Sequence, residues 1–181
     1  SSTAVSRGYT EEYNGTNFSE VNDMILPRRN FMGAGLSSEA ALAIGGAQDS
    51  APVNPGFAPE MGQCTEEWNG TNWSEVGDMA FDVKWSAGVG STEAAAIFGG
   101  SGLNQPAFGL YKTYHWDGSS WSESGDLSTS RYGNSMAGTQ TAGLTFGGYK
   151  NPPTSPVVTN TTEEYDGSSW TAGGALPEAK A

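Results

Sequence analysis

One short hairpin motif occurs four times along this chain, and its recurrence constrains the fold more than any other feature. Each copy places Asn-Gly or Asp-Gly between two aromatic residues, which is the strongest short-range signal for a β-hairpin. The copies are YNGTNF at 13–18, WNGTNW at 68–73, WDGSSW at 116–121 and YDGSSW at 165–170. A motif that returns about every 50 residues indicates a repeat architecture.

Apolar runs that end in Gly-Gly recur with the same period and close at Gly46, Gly100 and Gly148. With the hairpins, they divide each repeat into four strand-length segments. Between 84 and 125 these are KWSAGVG, AAAIFGG, TYHW and SSWSESG. Each segment stops at Gly, Pro or Asn, and no helical period persists. The sequence therefore predicts an all-β fold of four-stranded antiparallel units.

Side-chain size changes systematically across a repeat. First strands such as FMGAG, WSAGVG and GNSMAG are rich in small residues, whereas the fourth strands carry Phe18, Trp73, Trp121 and Trp170. Small residues where strands converge on an axis and large ones at the rim are typical of a β-propeller.

These features resemble the kelch and galactose-oxidase-like β-propellers. The resemblance lies in a basic residue at the start of the first strand (Arg29, Lys84, Arg131), a second strand ending in Gly-Gly, an aromatic residue closing the third strand and a Trp in the fourth. The repeat TEEY followed by DGSSW is also similar to kelch-like repeats in structural proteins of tailed phages, particularly marine ones. The resemblance implies a kelch-like propeller with four-stranded antiparallel blades.

The blade boundaries follow from the strand pattern. We expect one propeller region over 1–181, with a half blade of outer strands at 9–22 and blades at 29–77, 84–125 and 131–174. The chain would then hold about three and a half blades and end at a blade boundary. Because closed propellers have four or more blades, we expect further blades of a longer polypeptide, or neighbouring subunits, to cover the open faces.

Composition narrows the classes of partner. The formal net charge of −12 comes from 8 basic and 20 acidic residues, and it would repel a phosphate backbone. No apolar run is long enough to cross a bilayer. Cys64 is the only cysteine, so the chain forms no internal disulfide and no cysteine-based zinc cluster. We therefore expect no nucleic-acid partner and no membrane insertion.

Three loops differ in length and sequence between repeats, at 47–64, 101–112 and 149–160. Alternating strand direction sends them to one side of the sheets, together with the links between repeats; we call this side the loop face. Variable loops on a rigid scaffold often bind ligands, although they can also be idle surface insertions. The irregular aromatic residues that we select as ligand candidates on this face are Phe57, Phe108, Tyr111 and Tyr149.

We expect five basic residues to occupy equivalent places in the repeats: Arg28, Arg29, Lys84, Arg131 and Lys180. Two interpretations remain open. A ring of cations can hold an anionic ligand such as an acidic sugar, so Arg28, Arg29, Lys84 and Arg131 are also ligand candidates. Alternatively, each cation ties a blade to its neighbour through a carboxylate or a carbonyl group. The recurrence favours the second interpretation.

Nothing in the sequence indicates catalysis. The paired acids at 11–12, 66–67 and 163–164 are neighbours on strands and face opposite sides, so no such pair shares a site. The copper site of galactose oxidase needs two histidines, and His115 is the only one here. We therefore expect no enzyme activity, no cofactor and no metal.

The sequence thus favours a non-catalytic structural and adhesive β-propeller of a virion, as a phage tail or fibre component. Its expected partners are other virion proteins, further blades or subunits, and a host-surface glycan. Two alternatives remain, with a secreted or cytoplasmic location. One is a cellular kelch-like interaction module or a secreted lectin; the other is a fragment of a carbohydrate-active propeller enzyme.

Overall fold

The computed structural model describes residues 6–47, 62–102, 110–150 and 157–181, and all regular elements in these residues are β-strands. Within these ranges there are five antiparallel sheets: four that we number I to IV along the chain, and one two-stranded ribbon. The all-β fold and the four-stranded antiparallel sheets predicted from the sequence are therefore confirmed.

Sheet I has two strands, and sheets II to IV have four each. Sheet I contains β1 (Thr10–Tyr13) and β2 (Phe18–Val21). Sheet II contains β3 (Met32–Ser37), β4 (Ala40–Ile44), β5 (Thr65–Trp68) and β6 (Trp73–Glu75). Sheet III contains β7 (Gly88–Gly90), β8 (Ala95–Phe98), β9 (Thr113–Trp116) and β10 (Trp121–Ser124).

Sheet IV encloses an additional two-stranded ribbon. Its first two strands are β11 (Ser135–Thr139) and β12 (Ala142–Phe146). The ribbon follows as β13 (Tyr149–Lys150) and β14 (Val157–Val158), and the sheet then resumes with β15 (Thr162–Tyr165) and β16 (Trp170–Ala172). In sheets II to IV each strand pairs with the next one of that sheet along the chain, so every sheet is an up-and-down meander.

The repeated motif forms the hairpin between the last two strands of each sheet. In sheet III the Asp117 carboxylate accepts hydrogen bonds from the backbone N–H groups of Ser119 at 2.9 Å and Ser120 at 2.8 Å. The next residue, Gly118, has a φ of 91°, which favours glycine because it lacks a Cβ. Asn14 makes the same pair of hydrogen bonds in sheet I. Asn-Gly and Asp-Gly are therefore interchangeable at this turn.

The hydrophobic core lies between sheets. Alternate residues of β8 point to opposite neighbours: Ala95 and Ile97 pack with Met32 and Leu42 of sheet II, whereas Phe98 packs in a second cluster that extends to sheet IV. Sheet III is thus buried on both faces, which explains why all four residues of β8 are apolar and buried.

Neighbouring sheets meet along their first strands, since β7 contacts both β3 and β11. The approach is close, because a Cβ on Gly88 of β7 would overlap the carbonyl oxygen of Gly33 in β3. This contact explains why first strands are rich in glycine and alanine.

At the other edge of the sheets, each fourth-strand tryptophan donates a hydrogen bond to the preceding sheet. Trp73 Nε1 lies 2.9 Å from Thr10 Oγ1, and the equivalent pairs Trp121–Thr65 and Trp170–Thr113 have the same distance. Each acceptor is the first residue of the strand that precedes the repeated hairpin, which is β1, β5 or β9. The indoles therefore hold successive sheets together in one repeated way.

The alignment of the basic residues needs one correction. The second glycine of each Gly-Gly pair donates its N–H to a carbonyl at the start of the next repeat: Gly46 to Val83, Gly100 to Arg131 and Gly148 to Lys180. Arg131 is therefore equivalent to Val83 and not to Lys84. Isolated bridges place Arg29 opposite Ala47 and Lys84 opposite Ser101, so these two basic residues share the neighbouring position. The five basic residues therefore occupy two neighbouring positions of the repeat and not one: Arg28, Arg131 and Lys180 share the first, and Arg29 and Lys84 the second.

Candidate functional site

The structure describes six of the eight residues selected as ligand candidates: Tyr111, Tyr149, Arg28, Arg29, Lys84 and Arg131. Phe57 and Phe108 lie outside the described residues, as do large parts of the three variable loops. The described candidates separate into two buried arginines and several residues that reach the surface.

Arg28 and Arg131 are buried in equivalent ion pairs. The Arg28 guanidinium contacts the Glu66 carboxylate in β5, and Arg131 Nη2 lies 2.6 Å from Glu163 Oε1 in β15. Arg131 also donates to the Thr161 carbonyl at 3.1 Å. Because both guanidinium groups are buried in ion pairs within their own sheets, these residues support the structural interpretation, although the link runs within a sheet and not between neighbours.

Sheet III has two uncharged residues in place of this ion pair. The position of Arg28 and Arg131 is occupied by Val83, and the position of Glu66 and Glu163 by Tyr114. Both replacements are buried, and both belong to the core cluster between sheets II and III. Paired replacement of a buried ion pair by apolar side chains keeps the site filled without an unpaired charge.

A residue in the left-handed conformation opens each of the sheets II to IV. Asn30, Trp85 and Gly133 are equivalent, and their φ values are 55°, 57° and 59°. Trp85 N–H donates to the Asn30 carbonyl at 3.2 Å, and Gly133 N–H donates to the Trp85 carbonyl at 2.7 Å. These backbone bonds join the starts of successive sheets, so the repeat requires the conformation. Asn and Gly adopt it readily, whereas a bulky residue such as Trp rarely does.

The Trp85 side chain belongs to a cluster that we call the aromatic platform: Lys84, Trp85, Tyr132 and Tyr149. The Trp85 and Tyr132 ring centroids are 5.9 Å apart, and the Tyr132 and Tyr149 rings stack at 5.3 Å with an interplanar angle of 19°. Lys84 Nζ lies 4.6 Å from the Trp85 ring centroid, within the range of a cation–π contact. Trp85 remains 43% exposed.

The aromatic platform lies on the loop face. Tyr132 pairs with Tyr149 through backbone hydrogen bonds in both directions. Tyr149 begins the β13–β14 ribbon inside the loop that connects β12 to β15. The structure thus brings together two residues selected from the sequence, Lys84 and Tyr149, and adds two that were not selected, Trp85 and Tyr132.

The polar tip of Trp85 distinguishes it from the other tryptophans. Five indole N–H groups donate hydrogen bonds within the protein: those of Trp68, Trp73, Trp116, Trp121 and Trp170. Within the described ranges, Trp85 Nε1 and the hydroxyls of Tyr132 and Tyr149 have no such partner. The platform therefore offers an exposed ring beside polar groups that can bind a ligand.

Tyr111 lies elsewhere on the protein, in a cleft of about 360 Å³ between sheets II and III that also contains Phe81, Asp82 and Lys112. Phe81 is 52% exposed and Tyr111 48%. Below them, burial raises the pKa of Tyr114 to about 12, so its hydroxyl stays protonated at neutral pH. Lys112 is ion-paired to Glu123 and, at 3.3 Å, to Asp126. The cleft combines three aromatic side chains with aliphatic and polar ones, and its ammonium group is already ion-paired.

One group of side chains in the described part of the chain has the composition of a metal site. The ligand atoms of Cys64, Glu75 and Asp78 lie within 4.8 Å of one another. Burial, followed by the Asp78 carboxylate, raises the pKa of the Cys64 thiol to about 11. Because the thiolate is the form that binds metals, a cation held here would have to displace the thiol proton.

Comparison with protein-family models finds no matching family, and comparison with curated proteins finds no matching relative. In the described residues, no helix has the length and apolar character that would allow it to span a membrane. Functional inference therefore rests on the loop face and on the repeat itself.

Proposed function

We propose that this chain is a non-catalytic segment of a kelch-like β-propeller that serves as a structural and adhesive part of a virion, as a phage tail or fibre component. In this proposal the loop face contacts a host-surface glycan or a neighbouring subunit. Further blades or other virion proteins cover the open faces of sheets I and IV.

Three features support the propeller arrangement. Successive sheets contact each other through their first strands, where small residues permit close approach. Each fourth-strand indole is hydrogen-bonded to the preceding sheet. Sheet III is buried on both faces by its neighbours. Sheets that pack on one another with their small first strands in contact are typical of propeller blades.

The observation that carries the adhesive function is the aromatic platform on the loop face. Most aromatic side chains of the repeat pack in the core or form hydrogen bonds between sheets. Trp85 is instead exposed, with a lysine beside it and polar tips around it. A rigid array of repeats that presents such a group suits recognition of an external ligand. The virion assignment rests on the similarity of the repeat sequence to phage structural proteins.

Two experiments test the proposal. Purified particles from the source of this sequence are analysed by mass spectrometry, and we expect peptides of this protein in the particle fraction. The same protein is tested on a glycan array and for release of reducing sugars, where we expect binding without turnover. Protein found only in the cytosol contradicts the virion assignment, and binding by a secreted protein without particles favours the lectin. Turnover that is abolished by one carboxylate substitution favours the enzyme fragment.

A further inference from the structure

We propose that the aromatic platform is the binding site for an acidic saccharide. The apolar face of a pyranose packs against the exposed part of the Trp85 ring, beside the Lys84 ammonium group that lies over it, and a carboxylate on the sugar pairs with Lys84. This inference deepens the proposed function by assigning a site and a ligand class to the loop face. It depends on the loop face being exposed in the assembled protein.

The first step is that the fold does not require a tryptophan at position 85. The equivalent residues, Asn30 and Gly133, have the same φ within a few degrees and take part in the same chain of backbone hydrogen bonds. Because a bulky residue rarely adopts the left-handed region, Trp85 is a less favourable choice than either of them. Unfavourable backbone conformations are concentrated at functional sites, where the surrounding structure holds them in place.

The second step is that the Trp85 ring is held in place for stacking. Tyr132 packs against it at 5.9 Å and is itself stacked on Tyr149. An immobilised aromatic ring loses little conformational entropy when a ligand binds to it. The indole N–H and the two tyrosine hydroxyls have no hydrogen-bond partner within the part of the chain that the structure describes, so they can bond to sugar hydroxyls beside the ring.

The third step is the charge of the ligand. Lys112 is paired with Glu123, and Lys180 with Glu178 at 2.9 Å. Lys84, by contrast, forms no ion pair among the described residues, and its ammonium group lies over the Trp85 ring. A neutral sugar would leave this ammonium group without an anionic partner. A carboxylate on the stacked sugar would supply the missing anion in a partly desolvated position, where a charged hydrogen bond is strong.

The test measures binding of a tetragalacturonate and of sialyllactose to the whole protein by isothermal titration calorimetry, with a neutral cello-oligosaccharide as the comparison ligand. We expect binding of at least one carboxylated ligand, and weaker binding of the neutral one. Affinity should fall as salt is raised, since one ion pair is screened at high ionic strength.

Matched variants separate binding from stability. Trp85→Asn installs the residue found at the equivalent position of sheet II, so we expect at least about a tenfold loss of affinity, as for a central aromatic anchor, with an unchanged or higher unfolding midpoint. Lys84→Met should weaken binding of the carboxylated ligand to the level of the neutral one, and Lys84→Arg should retain most of the affinity. Phe81→Ala in the cleft should leave binding unchanged.

Several outcomes would overturn the inference. One is the absence of measurable binding to both carboxylated ligands at millimolar concentration. Another is a loss of affinity in Phe81→Ala without a loss in Trp85→Asn, which would place the site in the cleft. A lowered unfolding midpoint in Trp85→Asn with full affinity would assign Trp85 to packing. Protein present in particles but without saccharide binding would refute this inference alone, whereas saccharide binding by a protein absent from particles would refute only the virion assignment.

Discussion

The buried ion pair of sheet IV allows a quantitative prediction, because sheet III shows what replaces it. Arg131 and Glu163 have side chains that are 0% and 3% exposed, and their charged atoms are 2.6 Å apart. Glu163→Gln would leave the Arg131 guanidinium without a counter-charge in a site that water does not reach. Breaking a buried pair in this way costs about 3–5 kcal/mol of unfolding free energy. Arg131→Val should cost a similar amount, since it leaves the Glu163 carboxylate uncompensated.

The double variant Arg131→Val with Glu163→Tyr reproduces the Val83 and Tyr114 pair of sheet III. Apolar replacement of a whole buried pair is often neutral or stabilising. Here the substitution also removes three hydrogen bonds from Arg131, to the Gly147 carbonyl and to the carbonyl and hydroxyl of Thr161. It removes two more, from the N–H and the hydroxyl of Ser128 to Glu163. Because Thr161 and Ser128 are exposed, water can replace their four bonds, and at about 1 kcal/mol for the bond to buried Gly147 we expect the double variant to lie within about 2 kcal/mol of the parent. Independent effects would instead add to about 6–10 kcal/mol.

Urea unfolding followed by tryptophan fluorescence measures these differences, because Trp170 lies in the same sheet. If a single variant is too unstable in water, the series is repeated in trimethylamine N-oxide, which strengthens burial. The reasoning fails if either single substitution costs less than about 1 kcal/mol, or if the double variant loses the sum of the single ones. The equivalent series on Arg28 and Glu66 in sheet II serves as an internal repetition.

Three further predictions concern the contacts between sheets and the turns. Gly125→Ala should lower the unfolding midpoint, because its Cβ would overlap a carbonyl oxygen of the next sheet's hairpin, whereas Gly174→Ala, with no atom within 4 Å, should not. Trp170→Phe should reduce the unfolding free energy by about 1–2 kcal/mol through loss of its indole hydrogen bonds, as measured by urea unfolding. Hydrogen bonds, led by the one from Ser120 N–H, lower the pKa of Asp117 to about 2. A carboxyl group whose pKa is lower in the folded state stabilises the fold above its unfolded-state pKa, and this stabilisation is lost as the pH falls towards 2. Asp117→Asn should therefore flatten the dependence of the urea midpoint on pH between 4 and 2. An unchanged dependence would contradict this reasoning.

The hairpins and the four-stranded sheets could be predicted because their determinants are local. Asn-Gly and Asp-Gly dictate a turn within a few residues, and the alternation of short apolar runs sets the strands around it. The alignment of the basic residues was wrong by one position because Arg28 and Arg29 are adjacent, and because Val83, the residue equivalent to Arg131, is not basic. Only the hydrogen bonds from the Gly-Gly pairs establish the true register.

The aromatic platform could not be predicted, since its members are assembled from two sheets and from the ribbon inside a loop. Lys84 and Tyr149 were selected because of their positions in the repeat and the loop, but nothing local indicates that they approach the same ring. A useful signal was present: Trp85 and Tyr132 are aromatic residues outside the repeated hairpin, at positions where other repeats carry Asn, Gly, Arg or Lys. Aromatic residues that depart from the repeat are therefore the sequence signal for this cluster.

The indole bonds between successive sheets also affect how the protein comes apart. Each tryptophan belongs to one sheet while its hydrogen-bond acceptor belongs to the sheet before it. When one sheet unfolds, an indole or a threonine of the neighbouring sheet therefore loses its hydrogen-bond partner. Loss of order should spread along the array from unit to unit, as in a one-dimensional Ising chain with strong coupling, and proteases should find few stable intermediates to cut.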